Sequence, residues 1–443
     1  MMIFKFQKYI NPVSYFNLKT NNGFTIFPDW NSLSDLQKSY VNYDHGYKTS
    51  IYAELDASWQ LVQKGLLGDY KRLDKSNKIN ILDEYRFVRK YYHIFWLFYI
   101  LIIRLLSFKN PFKEIFAFIK SLKIKRINVF SDPIPYPDWK DFKSTLIQTQ
   151  PKVSVIIPTL NRYDYLKDVL KDLENQTYKN FDVLVIDQSE PFKNEFYKDF
   201  KLDLKVHYQK EKALWLARNS AIKISDAELF LLFDDDSRVD ENWIYNHIKC
   251  LDFFNCDISS GVSISVVGAK VPETYGYFKI SDQIDTGNVL IKKEVFKNIG
   301  LFDRQFEKQR MGDAEFGLRA YLAGFTNVSN PYAKRVHLKV GSGGLRDMGS
   351  WDGFRPKNWL APRPIPSVLY LYRKYYGNTL AKFALLKSVP QSLIPYKYKR
   401  YSEIIVLGFI LTLLLFPLVL YQVVKSWKKS SEKLKQGEII EKL

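Results

Sequence analysis

From Val153 onward the chain alternates short apolar runs with amphipathic stretches, and this alternation restricts the architectures open to it. VSVIIPTL (Val153–Leu160), FDVLVIDQS (Phe181–Ser189), LKVHYQ (Leu204–Gln209) and LFLLFDDDS (Leu229–Ser237) read as strands. All but the third are nearly continuous apolar runs, the pattern of strands buried on both faces. Helical stretches at Tyr163–Asn175 and Ala213–Ser225 lie between them. Strand–helix alternation predicts an α/β fold with a doubly wound, mostly parallel sheet. Functional groups in such sheets collect beyond the C-terminal strand ends. Those ends carry Thr159, Asn161 and Arg162, then Asp187, then Asp234, Asp235 and Asp236.

Three adjacent carboxylates repel one another unless a cation or hydrogen-bond donors offset the charge. A divalent ion, Mg²⁺ or Mn²⁺, held by one or two of them together with a diphosphate would do so. A solvated acidic turn, or a cap on the helix through Trp243, is the alternative use of these acids. No GxGxxG follows a strand and no GxxxxGK[ST] occurs, so neither a dinucleotide fingerprint nor a P-loop is supported. Farther on, Asp313 and Glu315 open a predicted helix after Gly312. Residues two apart on a helix do not share a face, so only one of the pair should face a cleft while the other caps or binds Arg319. His337 follows a short strand and precedes a glycine-rich turn, where it is either a partly buried side chain or a metal ligand.

The formal charge is +19, which attracts polyanions. Its placement favours anionic lipid over nucleic acid, for which no binding motif stands out. Residues 404–424 (IIVLGFILTLLLFPLVLYQVV) are uncharged, span about 31 Å as a helix, and are expected to form a membrane helix, with a buried core helix as the other option. A second segment, 93–126, joins HIFWLFYILIIRLLSF to a lysine-rich amphipathic stretch and suits a helix lying at a membrane surface or packed on its own domain. The start of the chain lacks the apolar core and cleavage site of a secretory signal. Cys250 and Cys256 fit a reducing compartment and cannot build a disulfide framework. The expected divisions are a mostly helical region 1–148, a catalytic domain 149–345, a basic aromatic extension 346–403, the membrane helix 404–424 and a basic tail 425–443.

The set VSVIIPTLNR, VLVIDQS, LARNSA, FDDDS, TGNVLIKKEVFKNIGLFD and GDAEFGLRAYLAGF, in that order, resembles glycosyltransferase family two, which has the GT-A fold. The resemblance covers roughly Val153–Gly344, and the flanking segments resemble membrane-associated bacterial members. It implies that Thr159, Asn161, Arg162, Asp187, Arg218, Asp234 and Asp235 bind a nucleotide-diphosphate sugar, with Asp187 at the base. It implies Asp234, Asp236 and His337 as ligands of a divalent metal, Asp236 foremost, and Asp313 as the catalytic base. The family often has Glu-Asp where this chain has Gly312–Asp313. Asn288, Glu315 and Trp351 are candidates for the acceptor side. The expected reaction is inverting transfer of one sugar to a glycan or lipid-linked hydroxyl in cell-surface polysaccharide assembly, at the cell inner membrane with the catalytic domain cytoplasmic.

Processive synthases of the family need several membrane helices and usually a QxxRW motif, which is missing here. A nucleotidyltransferase acting on sugar phosphates would share the metal but usually has a glycine-rich phosphate loop. A non-catalytic membrane scaffold would have no use for the acid triplet, the base and the histidine.

Overall fold

The computed structural model describes residues 2–73, 80–265, 271–340, 344, 352–356, 358–395, 398 and 404–443. They form two compact units, Met1–Pro135 with Tyr376–Lys387, and Tyr136–Tyr375 with Ser388–Leu443.

The first unit is helical. Ser50–Gln63, Ile81–Tyr91, Ile94–Leu106 and Pro111–Ser121 are its longer helices. Its core is aromatic: Phe4 stacks on Phe87 at 3.7 Å and Trp59 meets Tyr91 at 4.3 Å between ring centroids. Buried carboxylates hold the elements in place. Glu84 accepts hydrogen bonds from the Lys5 and Phe6 amides, both at 2.8 Å, and Asp56 pairs with Lys90 at 2.6 Å.

The second unit is built on a nine-stranded sheet. Its strands are β1 (Val153–Thr159), β2 (Phe181–Asp187), β3 (Leu204–Tyr208), β4 (Leu229–Phe233), β5 (Ser237–Val239), β6 (Ile258–Ser265), β7 (Lys279–Ile280), β8 (Asn288–Lys292) and β9 (Asn327–His337). The spatial order is β3-β2-β1-β4-β8-β6-β9-β5, with β7 also beside β9. β1 through β4 form a parallel half, with β1 and β4 fully buried as their apolar runs require. Beyond them β8 runs antiparallel to both β4 and β6, β6 pairs with β9 in parallel, and β5 and β7 run antiparallel to β9. The sheet is therefore mixed and not mostly parallel. Helical crossovers enforce parallel pairing only as far as β4.

That change of direction positions the acids. β5 follows β4 after only Asp234, Asp235 and Asp236, yet it pairs with β9, with Ser237 opposite His337. The acidic turn thus bridges the two halves of the sheet, and register sets His337 beside it.

The segment 404–424 is not one helix. Ile404–Leu414 and Phe416–Gln436 meet at Leu415, and the pair is bent by 92°. Pro417 sits in the first turn of the second helix, where it lacks the N–H that a continuous helix would need. The second helix also buries a polar stripe, Gln422, Ser426 and Ser430. Gln422 accepts from Arg363 at 2.9 Å, Ser426 donates to the Pro364 carbonyl at 2.5 Å, and Ser430 accepts from Arg373 at 2.7 Å. Among the described residues no single helix is long and apolar enough to cross a membrane; by length and composition this bent pair could. Lys397, Lys399 and Arg400, which precede the segment in the sequence, lie outside the described residues.

Candidate active site

A cavity of about 680 Å³ opens where the two halves of the sheet part. The acid turn forms one wall, and its residues alternate in direction. Asp235 turns toward the end of β1, accepting from the Thr159 hydroxyl at 2.8 Å and from Arg162 at 3.0 Å. Burial pushes its carboxyl up to about 6, against the pull of Arg162. Asp234 and Asp236 turn the other way. Together with His337 they present three ligand atoms within 4.8 Å of one another. His337 Nε2 lies 3.2 Å from Asp236 Oδ1, and the buried Oδ2 of Asp236 has no hydrogen-bond partner, although Arg162 stands 3.3 Å away. A carboxylate oxygen without a hydrogen bond, beside an imidazole and a second carboxylate, fits a divalent cation: the two carboxylates suit Mn²⁺ or Mg²⁺, and the imidazole nitrogen favours Mn²⁺ of the two. Burial opposes ionisation of Asp236, but the hydrogen bond and charge of His337 together with the charge of Arg162 outweigh it and hold the carboxyl below its usual range. For Asp234 burial is likewise outweighed, by Arg335 and Arg218.

Arg335 and Asp285 are the cavity residues that sequence reasoning missed. Arg335 reaches Asp234 at 2.8 Å and both oxygens of Asp285 at 2.8 and 3.0 Å. The signal was available, since Arg335 and His337 are two apart on β9 and so share a face. Gly287 closes this corner: a Cβ there would lie 2.1 Å from both Asp234 Oδ2 and Arg335 Nη1.

Two helices complete the lining. Arg218, on Leu214–Ile224, is 1% exposed and donates to Asp234 at 3.0 Å and to the Thr286 carbonyl at 2.9 Å. Its Nε and Nη1 have no partner. Two unpaired guanidinium donors lining a cavity are a site for an anion. Asp313 opens Gly312–Ala323 and lines the cavity with Arg310. Burial raises its carboxyl above the usual range. Gly312 is explained by its neighbour: a Cβ at 312 would meet the Trp215 ring at 2.4 Å. Trp215, fixed by its indole N–H to the Phe306 carbonyl at 3.1 Å, occupies the space that a glutamate would need.

The remaining candidates lie elsewhere. Thr159 is buried beneath Asp235. Asn161 bonds to Ser189 and Glu190, stabilising the loop after β1. Asp187 does not line the cavity. Its Oδ2 accepts from the hydroxyls of Tyr163 and Tyr197, both at 2.7 Å, and Oδ1 from the Ser189 amide, so its acceptors are taken. Asn288, a candidate for the acceptor side, is fully buried in the core as a polar hub. Its side chain accepts from Trp243 Nε1 at 2.7 Å, contacts His247 Nε2 at 3.1 Å, and donates to the carbonyls of Val262 and Ala333. Glu315 also faces away from the cavity. It is fully buried against Arg319 and bonds to Tyr375, so of the acid pair Asp313 alone lines the cavity. Trp351 lies outside the described residues, as do three of the four residues of the glycine-rich turn.

Residues 154–307 match the sequence model of glycosyl transferase family 2. Among curated proteins, Glycosyltransferase GlyA of Streptococcus pneumoniae serotype 4 is 27% identical over 164 residues, 36% of this chain and 22% of that protein. Glycosyltransferase AglE of Haloferax volcanii is 25% identical over 174 residues, 36% of this chain and 55% of that one. O-antigen biosynthesis protein RfbC of Myxococcus xanthus is 24% identical over 262 residues, half of this chain and 20% of that protein. The chain thus spans between about a fifth and about half of these relatives' lengths. Among solved structures, S. aureus TarS 1-349 in complex with UDP-GlcNAc has a TM-score of 0.43 at 19% identity, covering 63% of this chain and 81% of that one. GalNAc-T7 with UDP, GalNAc and Mn²⁺ has a TM-score of 0.42 at 14% identity, covering 58% of this chain and 55% of that one.

Proposed function

We propose that this chain, which carries a family 2 glycosyltransferase domain at residues 154–307, transfers one sugar from a nucleotide-diphosphate sugar to a hydroxyl of a glycan or lipid-linked acceptor, with inversion, in the assembly of a cell-surface polysaccharide. One observation carries the reading. The Asp234–Asp236–His337 cluster, the unpaired donors of Arg218 and the raised carboxyl of Asp313 line a single cavity.

In this reading Asp234, Asp236 and His337 hold a divalent cation. Bound there, the cation supplies positive charge against the departing diphosphate. Arg218 donates from its unpaired Nε and Nη1 to phosphate oxygens, adding stabilisation where negative charge builds. Asp313 takes the proton of the acceptor hydroxyl as that oxygen attacks the anomeric carbon. The bond from carbon to the diphosphate oxygen breaks on the opposite side, and configuration inverts. Burial raises the Asp313 carboxyl, which brings a general base closer to the pKa that suits proton abstraction. Arg335 and Asp285 orient Asp234. Thr159, Arg162 and Asp235 brace the acid turn, and Asn161 and Asp187 shape the loops that flank the nucleotide. The apolar segments of both units support work at the inner membrane, with the catalytic domain on the cytoplasmic side where nucleotide sugars are made.

The test is a panel of nucleotide sugars incubated with Mn²⁺ and membrane extract. Release of nucleoside diphosphate with incorporation of sugar is the expected result. A chain that leaves the donors intact but forms nucleotide sugar and pyrophosphate from a nucleoside triphosphate and a sugar phosphate, in a parallel incubation, would be a nucleotidyltransferase, and no turnover in either incubation would leave a scaffold.

A further inference from the structure

The helical hairpin of the first unit is assembled inside out. The one charge within Ile94–Leu106, Arg104, turns inward to Glu114 at 2.7 Å, and Glu114 also accepts from Tyr85 at 3.0 Å. Leu97, Ile100 and Phe118 are buried on the inner side, but many of the other apolar side chains face outward. Phe98 is 46% exposed, Ile102 55%, Leu106 75%, Phe112 83% and Phe116 55%. At the turn Phe108 is 97% exposed, on a backbone with φ of 54°, a conformation that a bulky residue adopts only at a cost. A contiguous apolar face of this kind is unfavourable in water and marks an interaction surface.

Charge identifies the occupant. Beside the hairpin lies a cavity of about 590 Å³ whose lining includes Arg86, Lys90, Lys120, Lys123 and Lys125 against one carboxylate, Asp44. Asp44 is spent on Arg86 at 2.6 Å and Lys90 at 3.0 Å, while Lys120, Lys123 and Lys125 are exposed and form no ion pair among the described residues. The two features join at Lys120, which lines the cavity and sits 5.6 Å from the Phe116 ring. Apolar rings next to a cationic hollow match the acyl boundary and headgroups of an anionic leaflet. At 13 residues the first helix is about 20 Å long, too short to span, so the hairpin lies in one leaflet.

We infer that residues 94–125 are a monotopic membrane-binding element, with Phe108 and Phe112 entering the interface and Lys120, Lys123 and Lys125 seating an anionic lipid headgroup. This extends the membrane-side reading above by assigning attachment to this hairpin in place of the C-terminal helices. Flotation of the full chain with phosphatidylcholine vesicles, with and without phosphatidylglycerol, tests it. The chain should float with the anionic vesicles. The double variant Phe108→Asp/Phe112→Asp should lose at least tenfold in partitioning. Lys120→Ala/Lys123→Ala/Lys125→Ala should lose the preference for phosphatidylglycerol, by about fivefold per lysine at low salt. Donor hydrolysis and thermal melting of the same variants should match the parent, which separates failure of this assignment from failure of the transferase reading or of folding. A parent chain that stays in the aqueous fraction, a Phe double variant that floats undiminished, or a hairpin that instead drives dimerisation abolished by Phe108→Asp would each overturn it.

Discussion

Gly287 shows how tightly the cavity is built. A methyl group at that position would lie 2.1 Å from both Asp234 Oδ2 and Arg335 Nη1, so the Asp234–Arg335 ion pair has to shift to admit it. Gly287→Ala should therefore lower kcat/KM at least a hundredfold, with a stability loss of about 1–3 kcal/mol, measured by donor turnover and by chemical denaturation. Asp313 sets a second expectation. Its base form must be ionised, burial raises its carboxyl, and Asp234 and Asp236 titrate lower. Activity should thus fall as pH drops through a midpoint above about 4, the ordinary aspartate value. That acid limb of the kcat/KM profile should move in Asp313→Glu and stay in place in Asp235→Asn.

The elements differ in how plainly their sequences announce them. β1, β2 and β4 were legible because a strand buried on both faces has to be apolar throughout, and their polar ends pointed to Asp234 and Asp236. β6 (ISSGVSIS) and β9, with Pro331 and alternating charges, carry no such run. They are paired on both sides, and their buried polar groups are satisfied by partners distant in sequence, such as Ser259 with His247 and Arg335 with Asp285. The burial of Asn288 was hidden for the same reason, since its motif position suggests a cleft while its four contacts lie inside the core. Asn288→Ala should leave Trp243 Nε1 and the Val262 and Ala333 carbonyls unpaired and cost about 2–4 kcal/mol, read from denaturant midpoints, with donor affinity in the surviving folded fraction unchanged. Composition at 404–424 showed the apolar run but not its bend: the chain breaks at Leu415 before Pro417, and the polar stripe that follows docks on Arg363 and Arg373.

Taken together, the two units bury many ionisable groups, and stability should respond to pH accordingly. Burial lowers His247 to about 4, so it is neutral in the fold. Unfolded chains bind its proton below about 6.5, so its contribution is complete above that pH and is lost as pH falls from about 6.5 to 4. Two buried carboxyls oppose it. Asp235, raised to about 6, and Glu84, raised to about 7, each favour folding as pH falls toward the ordinary carboxylate range. The histidine's share is isolated by comparison with His247→Gln: between pH 6.5 and 4 the parent should lose up to about 3 kcal/mol more than the variant in denaturant titrations. Equal slopes would mean that the imidazole is protonated in the fold.

All of this converges on a cation-gripped donor facing a carboxylate base, and side-by-side kinetics of three proteins probes that arrangement. Nucleoside diphosphate release and donor binding are measured with Mn²⁺ for the parent, Asp236→Ala and Asp313→Asn. The parent should turn over. Asp236→Ala should lose Mn²⁺-dependent donor binding together with turnover. Asp313→Asn should bind donor as the parent does and transfer sugar at least a hundredfold more slowly. Undiminished donor binding in Asp236→Ala, or parental transfer by Asp313→Asn, would contradict the account.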